Sequence, residues 1–234
     1  MMPDKYRQRL RELFEPVILL PREACLPQAV SSHPDMLMCA LHGSFFLSSS
    51  YYSENKALID QISALSGLAV TPTDDIRSDT YPLDTAYNVG VGSGYIICRC
   101  ESASRSIIEH SETFMDNIIS VRQGYSACSC LITDTAVITS DSGIAKALGR
   151  SGIPCVLLDD SDISLPGYSK GFIGGASGYY DGKILIFGNA EGLSCFTELS
   201  AFAVNSGCTI ISLSDDPNDT VTDYGGIKIF EKII

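Results

Sequence analysis

The chain has 234 residues, 45% of them apolar, enough for one compact core and consistent with a single domain over residues 1–234. Lys and Arg total 16 against 28 Asp and Glu, a formal net charge of -12 with no basic run, which argues against a phosphate-binding surface and a nucleic-acid ligand. No stretch of about 18 consecutive apolar residues is present to span a membrane. The N-terminus MMPDKYRQRLREL is too charged for a signal peptide, and nine scattered cysteines fit reduced thiols in a cytoplasmic protein better than a disulfide framework.

Residues 6–14 have the spacing of a short amphipathic helix and lead into the apolar run PVILLP. Four segments then repeat one scheme, beginning MLMCALHGSFFLSSS, AYNVGVGSGYIICRC, ACSCLITDTAVITSD and GGASGYYDGKILIFG. Their hairpin turns fall at His42-Gly43, Gly92-Ser93-Gly94, Asp134-Thr135 and Asp181-Gly182. A helix, usually a closing Gly, and a further apolar strand follow each hairpin, at a period of roughly 40 to 50 residues, the range of stacked supersecondary units. In the first unit Ala57, Leu58, Ile62 and Leu65 precede Gly67 and LAV. The polar residues 71–84, with two prolines, read as a loop. The second unit has Ile107 and Ile108 before NIISV and lacks a closing Gly. In the third, an alternating run over residues 128–132 turns into a strand over 136–139, Asp141 caps a helix over 142–150, Gly152 ends it and IPCVLL follows. Residues 159–170 form a second loop. Leu193, Phe196, Leu199, Phe202 and Ala203 share a helical face in the fourth unit, before Gly207 and CTIISL. A last strand over 224–230 lacks a helix, which the N-terminal segment can supply. Joining the chain ends in this way closes a ring of five units.

Five hairpin-and-helix units about a pseudo-fivefold axis resemble the pentein superfamily, the fold of arginine deiminases, agmatine deiminases, dimethylarginine hydrolases and amidinotransferases. VRQGYSACS, AVITSDSGIAKAL, GFIGGASG and DYGGIKIF are similar in particular to a small bacterial family assigned to that fold. The fold class this implies is α/β, a five-unit pseudo-symmetric α/β-propeller built from ββαβ-type repeats. In the enzymes of that superfamily a Cys attacks the guanidinium carbon, a His moves protons, and carboxylates hold the cationic nitrogens. Three positions depart from their pattern. The Gly-Gly-hydrophobic-His-Cys motif is matched by Gly225, Gly226, Ile227, Lys228 and Ile229, the Gly-Gly-Asp turn by Gly174, Gly175 and Ala176, and residues 189–195 contain no His. The resemblance therefore implies the fold without the usual amidine-modifying machinery.

In such a ring the first strand of each unit lies innermost, so Asn88, Ser126, Ser129, Ser177 and Asp223 are expected at the axis, joined by Gln123, Tyr125 and Asp141 from neighbouring loops. Gly174 and Gly175 allow close backbone approach to a ligand, and Lys228 either neutralises Asp223 or binds an anionic group. For Asp141 the helix cap is the favoured alternative. A pocket of carboxylates and neutral hydrogen-bonding groups suits a small polar or cationic, guanidino-like molecule, with no cofactor and no metal. The pairs Cys98/Cys100 and Cys128/Cys130 alternate so that each shares one strand face. Four facing thiolates would suit zinc, but strand-borne C-x-C fits small buried hydrophobes better. Two further functional readings stand beside ligand binding. One is a thiol-dependent hydrolase or deiminase-like enzyme using a relocated Cys128, with a base drawn from His33, His42 and His110, the last two expected at the surface. The other is a non-catalytic protein-binding scaffold like the ribosomal anti-association factors, with the protein partner left open.

Overall fold

In a computed structural model, which describes residues 2–230, each hairpin folds around the turn its sequence specifies. His42 and Gly43 have φ of 39° and 80°, and Asp181 and Gly182 46° and 71°, the left-handed pairs that match the twist of two-residue hairpins. Strands β1 (Met38–Leu41), β2 (Ser44–Ser48) and β3 (Ala69–Thr73) make the first sheet. Strands β4 (Gly90–Gly92), β5 (Tyr95–Cys98) and β6 (Asn117–Ser120) make the second. The third contains β7 (Cys130–Ile132), β8 (Val137–Thr139) and β9 (Cys155–Leu157), and the fourth β10 (Ser177–Tyr180), β11 (Lys183–Ile186) and β12 (Thr209–Ser212). In every sheet the first pair is antiparallel and the second parallel. A parallel neighbour demands a crossover, and helices provide it. After the N-terminal helix α1 (Asp4–Arg11) and the short turn α2 (Pro34–Leu37), these are α3 (Ser49–Glu54) with α4 (Lys56–Ser66), α5 (Arg105–Phe114), α6 (Ser142–Arg150) and α7 (Phe196–Asn205). The molecule is thus a mixed α/β fold of four small ββαβ sheets.

Four expectations need correction. Residues 71–73 belong to β3 and not to the loop, with Pro72 opposite Leu47 on an outer strand, where its missing N–H costs no ladder bond. Strand β7 begins at Cys130, so Cys128 and Ser129 lie on the turn ahead of it. The fourth helix begins at Phe196, although Leu193 still buries in the same core as Leu199 and Phe202. The last strand does not form. Gly225 and Gly226 have φ of 83° and 77°, which breaks the pleat. That segment is fastened to its neighbours by single backbone bonds: Tyr224 N and Gly226 N donate to Gly175 O at 3.0 and 2.7 Å, Ile227 N to Ser177 O at 3.0 Å, and Asp35 N to Gly225 O at 3.2 Å.

The chain ends nevertheless share one apolar cluster. Tyr6 and Leu10 of α1 bury against Leu185, Phe187 and Leu213, with Tyr224, Ile227 and Ile229 packed on the same group. The Tyr6 ring lies 5.6 Å from Phe187 and 5.8 Å from Tyr224, and its hydroxyl donates to Asp219 at 2.8 Å. Among the described residues no helix is long and apolar enough to cross a membrane. Because α1 anchors the C-terminal segment through one aromatic side chain, Tyr6→Ala is expected to cost about 3–5 kcal/mol by cavity formation. Tyr6→Phe should cost about 1 kcal/mol for the lost hydrogen bond. Denaturant midpoints of the two variants check this, and equal losses would assign the stability to the hydroxyl instead of the ring.

Candidate functional site

Two cavities lie near the starts of β1, β4, β7 and β10. One, of about 280 Å³, runs along these strands and is lined by Gly90, Gly178, Lys228 and Asp35 among others. The other, of about 220 Å³, lies between the 30–36 segment, Tyr125 and Cys128, the segment from Leu165 to Phe172, and Asp223. The second takes one wall from the loop over 159–170.

Cys128 is placed by Asn88. The Asn88 side-chain oxygen accepts from Ala127 N at 2.8 Å and Cys128 N at 3.2 Å, which captures these amides and keeps the turn from extending β7. Its Nδ2 donates to Cys128 Sγ at 2.9 Å and to Met36 Sδ at 3.2 Å. Met36, Asn88, Cys128 and Gly175 each stand two residues before an inner strand, so the repeat itself brings them together. Cys128 Sγ in turn donates to Asp35 Oδ2 at 2.9 Å, while Asp35 Oδ1 is buried without a hydrogen-bond partner. Asp35 and Met36 ride on α2, which the buried Arg77 fastens by donating to Met36 O at 2.7 Å.

Asp223 closes the other side. Its Oδ2 accepts from Phe172 N at 3.0 Å and its Oδ1 from Gly225 N at 2.9 Å, and His33 Nδ1 stands 3.6 Å from the same Oδ1. The glycines here are required by space. A Cβ at Gly175 would sit 2.1 Å from Asp223 Oδ1, one at Gly225 2.3 Å from the His33 Cβ, and one at Gly174 2.3 Å from Ala127 O and 2.7 Å from Cys128 O. At the mouth Tyr125 donates to Asp84 at 2.6 Å, and Lys170, paired with Asp160, lies over the Phe172 ring at 5.6 Å.

Burial sets the electrostatics. It pushes the Asp35 carboxyl up against the opposing pull of Lys228, and pushes Asp223 up with help from the nearby charge of Asp35. Burial pushes the His33 imidazole down to about 4, so it is neutral at neutral pH and does not compensate Asp223. Burial, then the charges of Asp35 and Asp223, hold the Cys128 thiol well above the usual range. Among the described residues, neither Asp35 nor Asp223 is in an ion pair with Lys or Arg, and Lys170 at the pocket is paired with Asp160.

The expected residues divide. Asn88, Tyr125, Asp223 and the two glycines meet around Cys128, as described. Ser126 donates to Gln123 O at 2.8 Å and Gln123 Oε1 accepts from Tyr125 N at 3.1 Å, so these two build the turn beneath Tyr125. Ser177 lines the larger cavity and donates to Ile173 O at 2.7 Å, and the Ser129 hydroxyl is buried without a partner. Lys228 acts on Asp35 instead of Asp223. Asp141 lies outside both cavities and caps α6, accepting from Ile144 N at 2.8 Å. Cys130 faces the larger cavity while Cys128 lines the smaller, so the two C-x-C pairs do not form a four-thiol group. His33 and Asp35 lie ahead of the first repeat and Met36 opens it; in the sequence His33 is only one of three histidines, and nothing in the repeats singles out Asp35.

Two expected outcomes follow from this geometry. Gly175→Ala should destabilise the protein by several times more than Gly192→Ala, where a Cβ meets nothing within 4 Å. Asp35 and Asp223 hold protons in the folded chain above the ordinary carboxylate value of about 4, so the folded state binds more protons than the unfolded and stability falls as pH rises through that window. Asp223→Asn should remove its share of that fall, read as a smaller loss of denaturation midpoint between acid and neutral pH. An unchanged slope would mean that Asp223 ionises as freely folded as unfolded.

With this geometry in hand, likenesses to known proteins are limited to the fold. No curated protein matches the chain. A dimethylarginine dimethylaminohydrolase, solved as a histidine-to-glycine variant in adduct with S-methyl-L-thiocitrulline, superposes with a TM-score of 0.56 at 7% identity, covering 89% of this chain and 80% of that one. The enzyme of the same name from Pseudomonas aeruginosa, a cysteine-to-serine mutant complexed with citrulline, gives 0.53 at 8% identity, covering 89% and 79%. The chain therefore shares the fold of these hydrolases, in keeping with its resemblance to the penteins. Residues 1–228 match the Family of unknown function (DUF6873), and the chain belongs to it.

Proposed function

We propose that the chain is a five-unit pentein ring, one domain over residues 1–234, that binds a small molecule with a planar nitrogen cation in the 220 Å³ pocket. The observation that carries this reading is the pair of buried carboxylates, Asp223 on the pocket wall and Asp35 behind the thiol. Among the described residues neither is in an ion pair with Lys or Arg. A cation entering between Tyr125, Phe172 and Asp223 would offset both charges in a water-poor site and gain aromatic faces on two sides. The ligands named for the structures of similar fold, citrulline and S-methyl-L-thiocitrulline, agree with a small polar occupant. A protein-binding scaffold gains no support from this geometry, since such a role needs no buried acids.

Cys128, His33 and Asp223 line one pocket, which favours a second reading in which the Cys128 sulfur bonds to the bound cation's carbon, one C–N bond breaks, and the departing nitrogen takes up the thiol's proton and leaves as ammonia or an amine. In the empty site the thiol keeps its proton. A bound cation cancels the repulsion from Asp35 and Asp223, so the ligand itself lowers the barrier to forming the thiolate.

Calorimetric titration with methylguanidine, and with neutral methylurea as control, tests the binding. The cation should bind with affinity rising as pH climbs and the carboxylates ionise, Asp223→Asn should weaken it about tenfold or more, and methylurea should not bind comparably. Equal binding of the urea, or an indifferent Asp223→Asn, would remove the reading. For the second, the ultraviolet thiolate band of wild type minus Cys128→Ser is followed against pH. Methylguanidine should move its midpoint downward, and an unmoved midpoint leaves the sulfur a structural group.

A further inference from the structure

The pair Cys98/Cys100 takes no part in the pocket, yet its geometry is unlike that of any other cysteines here. Strand β5 ends at Cys98, the chain turns over residues 99–102, and the two sulfurs come to 3.7 Å, van der Waals contact. It is the one sulfur–sulfur contact among the described residues. Even a fully extended chain would hold Cα atoms two residues apart within about 6.6 Å, inside the separation of about 4.4–6.8 Å that a disulfide accepts. Cys98 is fully buried and Cys100 half-buried, so a small reagent meets Cys100 first.

We propose that Cys98 and Cys100 form an oxidative modification site that a hydroperoxide closes into a disulfide. The Cys100 sulfur attacks the peroxide oxygen, forming the sulfenic acid and releasing water. Cys98 then attacks the Cys100 sulfur, and hydroxide leaves and takes up the Cys98 proton as a second water. The two sulfurs together give two electrons to the peroxide, so the balance is complete. Contact places Cys98 for the second role, its sulfur lying 3.7 Å from that of Cys100. Burial, and then Cys100, push the Cys98 thiol up, so the resolving attack is the slow step and proximity is what drives it.

The turn that would be locked braces the ligand pocket from behind. Ser104 N donates to Ala86 O at 2.8 Å, and the Ser102 and Thr85 hydroxyls are bonded at 2.9 Å. The segment they hold carries Asp84, the partner of Tyr125, and Asn88, the partner of Cys128. Closing the pair therefore acts on residues that position the candidate nucleophile.

Arg99 stands between the two cysteines, which makes the test direct. Wild-type protein is treated with stoichiometric hydrogen peroxide, blocked with a maleimide, digested with trypsin without reduction, and read by mass spectrometry. Cleavage after Arg99 leaves the proposed product as two peptides joined through sulfur, lighter by two hydrogens than their sum. In Cys98→Ser, Cys100 should stop at a sulfenic acid that dimedone traps. In Cys100→Ser, Cys98 should stay reduced and no linked peptides should form. Oxidation that begins at another cysteine, or a bond from Cys98 to Cys39, overturns the proposal. Neither result depends on what the pocket binds, so the titrations with methylguanidine stand or fall separately.

Discussion

The carboxylate of Asp223 ties together segments that lie far apart in the chain. It accepts from the backbone of Phe172 and Gly225, faces His33 near the N-terminus, and fills the space a side chain would need at Gly175. Such a buried acid is costly unless its lone pairs are engaged, and two backbone N–H groups supply that here. The same bonds fix the path of the C-terminal segment, because Gly225 must turn with positive φ to point its amide at Asp223 while its carbonyl receives Asp35 N. The first unit, the fourth unit and the chain's end are thereby set in one arrangement.

That arrangement explains why the site is acidic at rest. Asp35, Asp223 and the Cys128 thiol share the same low-dielectric space: Asp35 raises the proton affinity of Asp223, both raise that of Cys128, and the thiol's hydrogen bond works the other way on Asp35. Lys228 opposes this from the larger cavity by its pull on Asp35. His33 stays neutral because burial pushes its imidazole down, with Asp223 Oδ1 3.6 Å away. A positive ligand is the one addition that relieves all three acids at once. Ligand charge and thiol ionisation are thus coupled by position alone, with no conformational change required.

Much of the scaffold was legible because its signals are local. Paired positive-φ turns at His42-Gly43 and Asp181-Gly182, and left-handed glycines at 67, 152 and 207, are demands of backbone geometry that one or two residues state on their own. The site was less so. Cys128 sits in an alternating run that reads as strand, and only a side chain forty residues earlier, Asn88, takes its amide out of the ladder. Asp141 could be read as a pocket acid but fitted a cap better, and it caps Ile144 N. His33 and Asp35 stand outside the repeats, so no internal comparison drew attention to them. Gly174 and Gly175 were visible as close-approach positions, but what approaches is the Cys128 turn and the Asp223 carboxylate.

The Gly-Gly pair near the C-terminus shows how backbone demands can persist where the side chains beside them differ. In the resembling enzymes that pair precedes a His and a Cys, whereas here Lys228 and Ile229 follow. Gly225 is still indispensable, because its missing Cβ admits the His33 side chain and its amide holds Asp223. An imidazole thus returns to the same glycine from the opposite end of the chain, and a thiol enters from the turn before β7. The sequence there differs from that motif at two side chains, yet the space around it holds an imidazole, a thiol and two carboxylates, contributed by three segments: His33 and Asp35 by one, Cys128 by the turn before β7, and Asp223 by the C-terminal stretch. Where the first strands of four small sheets line one cavity, the backbone positions ahead of those strands set where such groups can meet.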